Sequence, residues 1–201
     1  MGLPWWIQME NSQGSGMRVN WVAADATVIP PDIDVNTLKD IASIWGSWRT
    51  WRGCGTDNVV CNDIGKAREL LKRKMNELCN MYIPDSMYVE LDRPTAVRMY
   101  GGQFTFEIDN QDELIAIQLA LSQSDIILLM GFDWTEKDLS TDKLAAHRAH
   151  NYRRFVIDAI QNSPDVQWVL IDHEGDLMPE LASFENLSQD TLENVMLLLS
   201  S

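Results

Sequence analysis

The stretch DIILLMGFD, residues 125–133, decides the fold. A strand that is apolar at every position is buried on both faces, which is typical of the centre of a parallel sheet. The stretch VQWVLID, residues 166–172, repeats this pattern and again ends in an aspartate. VNWVAA (residues 19–24) and NVVC (residues 58–61) are shorter apolar runs of strand length. The sequence therefore predicts buried strands distributed along the whole chain.

Segments with helical spacing separate these strands. Residues 38–48 carry apolar side chains at helical intervals, and residues 64–82 form an amphipathic pattern with basic residues on the polar face. Residues 110–123 and 143–161 predict two more helices. Alternation of strand and helix is the signature of right-handed βαβ units. We therefore predict a three-layer, Rossmann-like, doubly wound α/β fold, with helices on both faces of a mainly parallel sheet of about five to six strands.

Three further segments complete this assignment. MYVEL, residues 87–91, alternates as a strand does, and residues 96–108 fit a hairpin that turns at Gly101 and Gly102. The remainder of the chain after residue 172 is predicted to be mostly helical. Residues 1–16, which end in a Ser-, Gly-, Asn- and Gln-rich stretch, are predicted to be a flexible leader, and residues 17–201 a single α/β domain.

Charge and composition exclude several classes of protein. The formal net charge of −14, from 16 basic and 30 acidic residues, argues against general nucleic-acid binding, which needs clustered Lys and Arg. No apolar run approaches the roughly 18 residues of a membrane helix, so no membrane association is predicted. The three cysteines have no metal or redox spacing, which is typical of a reducing compartment and predicts a cytoplasmic protein.

Acidic and amide side chains follow the predicted strands at their carboxyl ends. In an open parallel sheet, ligands bind at this edge, at the point where the strand order reverses. Carboxylates there suit Mg²⁺ coordination or the binding of ribose hydroxyls. The alternative is that they cap the following helices. The residues are Asp25, Asn62, Asp63, Asp133 and Asp172.

Two histidines are candidate catalytic groups. His147 and His150 lie three residues apart on a predicted helix and so share one face, where imidazoles can act as general acid or base. The alternative is that they are polar residues of an exposed helix face. The phosphate-binding patterns G-x-G-x-x-G and G-x-x-x-x-G-K-[ST], the G-x-S-x-G nucleophile elbow and H-E-x-x-H are all absent. No cofactor or metal is therefore assigned.

Tryptophans recur every three residues at Trp45, Trp48 and Trp51, interleaved with Arg49 and Arg52. An aromatic stripe at helical spacing is typical of core packing. Tryptophan beside arginine also suits stacking on a sugar, a base or a partner side chain. Trp48, Arg49 and Arg52 are therefore candidate ligand-binding residues, and the Trp-rich surface is a candidate contact for homo-oligomers.

Three motifs resemble a known family. They are V-x-C-N at residues 59–62, IILLMGFDW at residues 126–134, and VQWVLID followed by Leu177 and Leu181. Their order over roughly residues 19 to 190 is similar to the Rossmann-like fold shared by bacterial sialyltransferases, flagellin-modifying glycosyltransferases and the archaeal pterin pyrophosphokinase group. The acidic, Trp-rich composition also resembles that of uncharacterised marine bacteriophage proteins, for which the compartment would be the host cytoplasm.

The resemblance implies roles for individual residues. Asn62 would touch a nucleotide-sugar donor, Asp133 would lie in the donor site, and His147 or His150 would be the base. The chain departs from the family where its first strand ends, because A-A-D-A-T at residues 23–27 replaces a G-x-G-x-S loop that receives the donor phosphates. It departs again at Thr135, where the family has tyrosine.

The sequence thus predicts a nucleotide or nucleotide-sugar binding protein of glycosyltransferase type. A catalytically silent interaction or phage accessory protein is the main alternative, and Mg²⁺-dependent phosphotransfer or nuclease activity is a further one.

Overall fold

The computed structural model describes residues 17–24, 34–50, 55–101, 111–132, 153–171 and 179–199. The predicted leader, residues 1–16, lies outside them. The strands are β1 (Val19–Ala23), β2 (Ser43–Ser47), β3 (Asn58–Val60), β4 (Asn80–Pro84), β5 (Val97–Tyr100), β6 (Ile126–Met130), β7 (Gln167–Ile171) and β8 (Leu187–Asp190). The helices are α1 (Val35–Ile41), α2 (Ile64–Lys72), α3 (Met75–Leu78), α4 (Asp85–Glu90), α5 (Gln111–Leu121), α6 (153–161), α7 (Pro179–Ala182) and α8 (Leu192–Leu199).

All eight described strands belong to one sheet, and every neighbouring pair runs parallel. The strand order is β5-β4-β3-β2-β1-β6-β7-β8. The chain therefore starts at the centre, winds outward through β5, and returns to the other side of β1 to wind outward again through β8. This topology confirms the predicted doubly wound α/β fold, with eight strands rather than five to six.

Helices cover both faces of the sheet. On one face, α5 and α6 pack through Leu114, Ile117 and Val156 onto inward-facing residues of β1, β6 and β7. On the opposite face, α1 and α8 pack through Leu38 and Leu192. Helices α2 to α4 extend that second layer over β3 and β4. The sheet is thus the middle of three layers, which explains why β6 and β7 are apolar at nearly every position.

Two strands lie where the spacing predicted helix. The helix predicted over residues 38–48 is wrong beyond Ile41, because β2 begins at Ser43. Trp45 and Trp48 follow Ala42 at intervals of three residues, so they continue the apolar spacing of α1 although Trp45 lies in a strand. The helix predicted over residues 64–82 is correct as far as Lys72, the end of α2, and wrong beyond it. There the chain turns at Lys74, with φ 57°, and forms the short α3 and then β4.

Three other predictions concern the outer parts of the sheet, and their outcomes differ. MYVEL is not a strand, because Pro84 at φ −59° leads into α4, whose buried Met87 and the following Leu91 lie four residues apart. The first half of the predicted hairpin is the strand β5, which pairs in parallel with β4, whereas its second half lies within residues 102–110, outside the described residues. The mostly helical tail contains the edge strand β8, whose LSQD sequence carries little strand signal. Of the helix predicted over residues 143–161, the described part, 153–161, is helical.

The strand order reverses between β1 and β6, which therefore form the switch point of the sheet. The carboxyl ends of all eight strands meet along one edge, since every pair is parallel. None of the described helices is long and apolar enough to cross a membrane.

Candidate functional site

The candidate site is the carboxyl edge of the sheet, centred on the switch point. Strands β1 and β6 pair from Val19 and Ile126 as far as Ala23 and Met130, and the N–H of Ala24 still donates to the carbonyl oxygen of Met130 at 2.9 Å. Helix α1 follows β1 on one face, whereas α5 enters β6 on the other. In sheets of this topology, ligands bind between the two helical layers where such strands end.

The backbone of β6 turns sharply at this point. Gly131, directly after the strand, adopts φ 78°, a left-handed conformation that a residue with a Cβ atom rarely adopts. The turn leads towards Asp133, which lies outside the described residues. The segment GFD, residues 131–133, therefore begins with a backbone conformation that favours glycine.

The end of β2 is tied to the end of β1. The Ser47 hydroxyl oxygen accepts the backbone N–H of Arg49 at 3.0 Å and that of Thr50 at 3.3 Å, so it caps the helical turn of residues 48–50. The Thr50 hydroxyl in turn donates to the carbonyl oxygen of Ala23 at 3.3 Å. A Cβ atom on Gly46 would lie 2.9 Å from the Thr50 Cβ atom, so this close approach depends on glycine.

Trp48 gathers two cations at this edge. The Lys66 ammonium lies 4.6 Å from the centroid of the Trp48 ring and the Arg49 guanidinium 5.4 Å from it. The ring is half-buried against the α2 layer, and Lys66 also pairs with Glu69 at 3.4 Å. Attraction to the electron-rich ring face holds both positive charges at the ends of β2 and β3. Two basic side chains thus lie together at this edge of a strongly acidic protein.

The end of β3 is fixed by two carboxylates. The backbone N–H of Asn62 donates to Asp112 Oδ1, in the first turn of α5, at 2.8 Å. Asp63 caps α2, because its Oδ1 accepts the backbone N–H of Lys66 at 2.8 Å. Both carboxylates therefore hold backbone groups of the strand-to-helix turn in place. The half-buried Asn62 side chain is displayed from a turn whose backbone is held on both sides.

Burial controls the titration of the groups behind this turn. Burial, with the nearby charges of Asp112 and Cys61, raises the pKa of Tyr100 above its ordinary value, so the phenol stays protonated at neutral pH. Burial likewise raises the pKa of the Cys61 thiol to about 12. Neither group is therefore an activated nucleophile. Glu113, beside Asp112 on α5, has 3% of its surface exposed, which places a carboxyl group deep in the same layer.

The structure brings together some of the predicted site residues. Asn62, Asp63, Trp48 and Arg49 lie at one edge, linked through Lys66. The other predicted residues lie outside the described part of the chain: Asp25, Arg52, Asp133, His147, His150 and Asp172.

The tryptophan stripe is not a helical surface. Trp45 lies in β2 with 1% of its surface exposed, and its indole N–H donates to Asn20 Oδ1 at 2.8 Å. Trp48 follows the strand and packs partly against the second core layer. Trp51 lies outside the described residues. Trp45 is therefore a core residue, as one of the two interpretations of the stripe predicts.

Three residues of this edge were missed as candidates from the sequence, namely Tyr100, Asp112 and Glu113. Asp112 and Glu113 were interpreted only as acidic residues that favour the start of α5. A signal was present for Glu113, because it directly precedes the apolar run LIAI and so belongs to a helix buried on most sides. Lys66 was identifiable as one of a cluster of basic residues that suits an anion site, whereas Tyr100 carried no such signal, since only the topology brings it to this edge.

Among the described residues, no group of three or more His, Cys, Asp or Glu side chains is placed to hold a metal ion. Comparison of the chain with protein-family models, curated proteins and solved structures finds no match. What is established is therefore the class of fold, a doubly wound, all-parallel α/β sheet whose strand order reverses between β1 and β6.

Proposed function

We propose that this protein binds a nucleotide or a nucleotide sugar at the carboxyl edge of its sheet, as a protein of glycosyltransferase type. The observation that carries the proposal is the reversal of strand order between β1 and β6, with α1 and α5 on opposite faces. Ligands of doubly wound proteins bind in the crevice that such a reversal creates. Polar groups at the carboxyl ends of β2 and β3 and in the first turn of α5 lie along the same edge.

Charge supports an anionic ligand at this edge. A chain with a net charge of −14 repels phosphate at long range, so a phosphate site needs local positive charge. Arg49 and Lys66 supply it, held within 5.4 and 4.6 Å of the Trp48 ring centroid. The first strand lacks a glycine loop, and Asp63 already occupies the N–H of Lys66 at the start of α2. In this proposal the side chains of Arg49 and Lys66 therefore bind phosphate in place of backbone N–H groups.

Asn62 is the proposed contact to the nucleotide sugar. Its backbone is held by Asp112, so its amide keeps one position relative to the cations around Trp48. Proton transfer would fall to His147 or His150, and Asp133 would complete the donor site. Binding and catalysis are thus separable parts of the proposal.

The burial of the tryptophans bears on the alternative of an interaction protein. Self-association through the tryptophans gains no support from the described residues, because Trp45 is buried and Trp48 is half-buried against the core. The Mg²⁺ alternative depends on Asp25, Asp133 and Asp172. As part of the proposal we place the protein in the cytoplasm, since Cys61 and Cys79 are free thiols.

Thermal-shift measurement and calorimetry against CMP, UDP, GDP and their sugars test the proposal. We expect one of them to raise the melting temperature, and Arg49→Ala or Lys66→Ala to weaken its binding by about tenfold, equivalent to ~1.4 kcal/mol. Arg98→Ala is the matched control, because Arg98 also lies over an aromatic ring, 5.8 Å from the Tyr82 centroid, but near the amino edge.

Each outcome has a defined meaning. A nucleotide that binds the parent and Arg98→Ala equally, but binds Arg49→Ala more weakly, supports the proposal. Failure of every nucleotide to bind the folded parent at about 1 mM refutes it. Binding that both Arg49→Ala and Lys66→Ala leave unchanged refutes the assigned phosphate contacts.

A further inference from the structure

A groove of about 440 Å³ lies at the opposite, amino edge of the sheet. Its volume falls within the range of small-molecule sites, roughly 300 to 1,000 Å³. The first residues of β2, β3 and β4 line it: Ser43, Asn58 and Asn80. A strand of five residues is about 16 Å long, so this groove lies about that far from the candidate site at the carboxyl edge. Nothing in the proposed nucleotide site uses it.

Hydrogen-bonded amides form the floor of the groove. Asn80 Nδ2 donates to Asn58 Oδ1 at 3.0 Å, and Asn58 Nδ2 donates to the Ser43 hydroxyl at 2.7 Å. Asn58 is buried, whereas Asn80 is exposed. Within the described part of the chain, the carbonyl oxygen and second N–H of the Asn80 side chain make no hydrogen bond. The row thus ends in an ordered amide that can bind one more polar group.

Charges on the wall of the groove leave one cation available. Arg18 pairs with Asp125 at 3.1 Å, and Lys39 pairs with Asp57 at 3.1 Å. Arg98, on β5, has no ion pair among the described residues.

The position of Arg98 connects it to the amide row. Its guanidinium lies 5.8 Å from the centroid of the Tyr82 ring, and Tyr82 and Arg98 are partners in the register of β4 and β5. Tyr82 lies two residues after Asn80 on β4 and contacts Trp45, with ring centroids 5.0 Å apart. The guanidinium is thus held beside the amide row by a packed aromatic pair.

We propose that this groove binds a small, hydroxylated monocarboxylate. The Arg98 guanidinium accommodates the carboxylate, which matches its fork of N–H donors. The Asn80 amide, held in place by Asn58, binds a hydroxyl group, for which an amide supplies both a donor and an acceptor. Arg98 is the one cation of the groove without an ion pair among the described residues, and the acidic Asp40 also lines the groove. This balance of charge favours a monoanion over a phosphate dianion.

Sodium gluconate is the probe, and sorbitol is its matched control, because sorbitol has an alcohol where gluconate has the carboxylate. Both are titrated to about 10 mM into ¹⁵N-labelled protein while the side-chain amide signals of Asn58 and Asn80 are recorded. We expect gluconate to shift these signals and sorbitol to leave them unchanged. We expect Arg98→Gln to weaken gluconate binding by about tenfold, and Arg49→Gln to leave it unchanged.

Three results would overturn the proposal: no shift with gluconate in the folded parent, equal shifts with sorbitol or inorganic phosphate, or unchanged affinity in Arg98→Gln. The shifts expected in parent and Arg49→Gln are independent of nucleotide binding. Failure at one edge of the sheet is therefore distinguishable from failure at the other.

Discussion

Replacing Asn20 by alanine tests the buried hydrogen bonds that join β1 to Trp45 of β2 and to the segment before β6. Asn20 has 4% of its surface exposed and makes three hydrogen bonds. Its Nδ2 donates to the Ser124 hydroxyl at 2.8 Å and to the Gln123 carbonyl oxygen at 3.3 Å, and its Oδ1 accepts the Trp45 indole N–H at 2.8 Å. Asn20→Ala removes all three bonds at once.

The magnitude follows from which partners lose their only bond. The indole N–H of Trp45 is left without a partner at a site where 1% of the residue is exposed, which costs about 1–3 kcal/mol. Ser124 loses less, because its hydroxyl also donates to the carbonyl oxygen of Ala120 at 2.6 Å. With the space left by the missing amide, we expect a total loss of about 2–4 kcal/mol, or a melting temperature lower by roughly 6–12 °C.

Urea unfolding at 25 °C measures this loss, provided that the slope with denaturant is unchanged. Asn80→Ala is the control, because Asn80 is also an asparagine at the amino edge of the sheet but is exposed. We expect this substitution to cost less than about 1 kcal/mol. A cycle with Trp45→Phe isolates the orphaned N–H, for which we expect a coupling of about 1–2 kcal/mol. A loss for Asn20→Ala below about 0.5 kcal/mol, or equal to that of Asn80→Ala, would refute the reasoning.

Three further predictions concern other parts of the molecule. We expect Gly46→Ala to destabilise the fold by about 1–3 kcal/mol in urea unfolding, because its Cβ atom would lie 2.9 Å from that of Thr50; a neutral effect would contradict the close contact. With the pKa of Cys61 at about 12, about one thiol in ten thousand is ionised at pH 8, so iodoacetamide should label Cys61 far more slowly in the native protein than in urea, and equal rates would be inconsistent with its burial. Since Arg18 lowers the pKa of Asp125, that carboxylate stabilises the fold at neutral pH, and the contribution is lost as the pH falls through its folded-state pKa. The stability difference from Asp125→Asn should therefore shrink on acidification, and a constant difference would count against the pair.

The central strands could be predicted from the sequence because burial on both faces makes them continuously apolar. This holds for Ile126–Met130 and Gln167–Ile171. The strand β2 was missed because Trp45 and Trp48 continue the helical intervals of α1, and β8 was missed because an edge strand pairs on one side and tolerates polar residues. Local pattern therefore identifies a strand best when its neighbours bury it and its flanks end in turns.

The candidate site could be predicted only in part, since its residues come from distant parts of the chain. Asn62 and Asp63 were identifiable because they directly follow a strand. Asp112, fifty residues further on, meets Asn62 only because α5 crosses the sheet from β5 to β6. Lys66 beside Trp48 depends on the parallel pairing of β2 with β3. Such contacts follow from strand order, which a single sequence does not encode locally.

The place of β1 at the centre of the sheet has a consequence in time. Its partner on one side, β2, follows within about 25 residues, but its partner on the other side, β6, pairs across a separation of 107 residues, the same separation that joins Arg18 to Asp125. During synthesis, β1 to β5 emerge first, and one side of the central strand β1 stays unpaired until β6 follows. A pause in translation before residue 126 therefore leaves one edge of β1 unpaired and prone to aggregate. We expect chaperone binding to matter most in this interval.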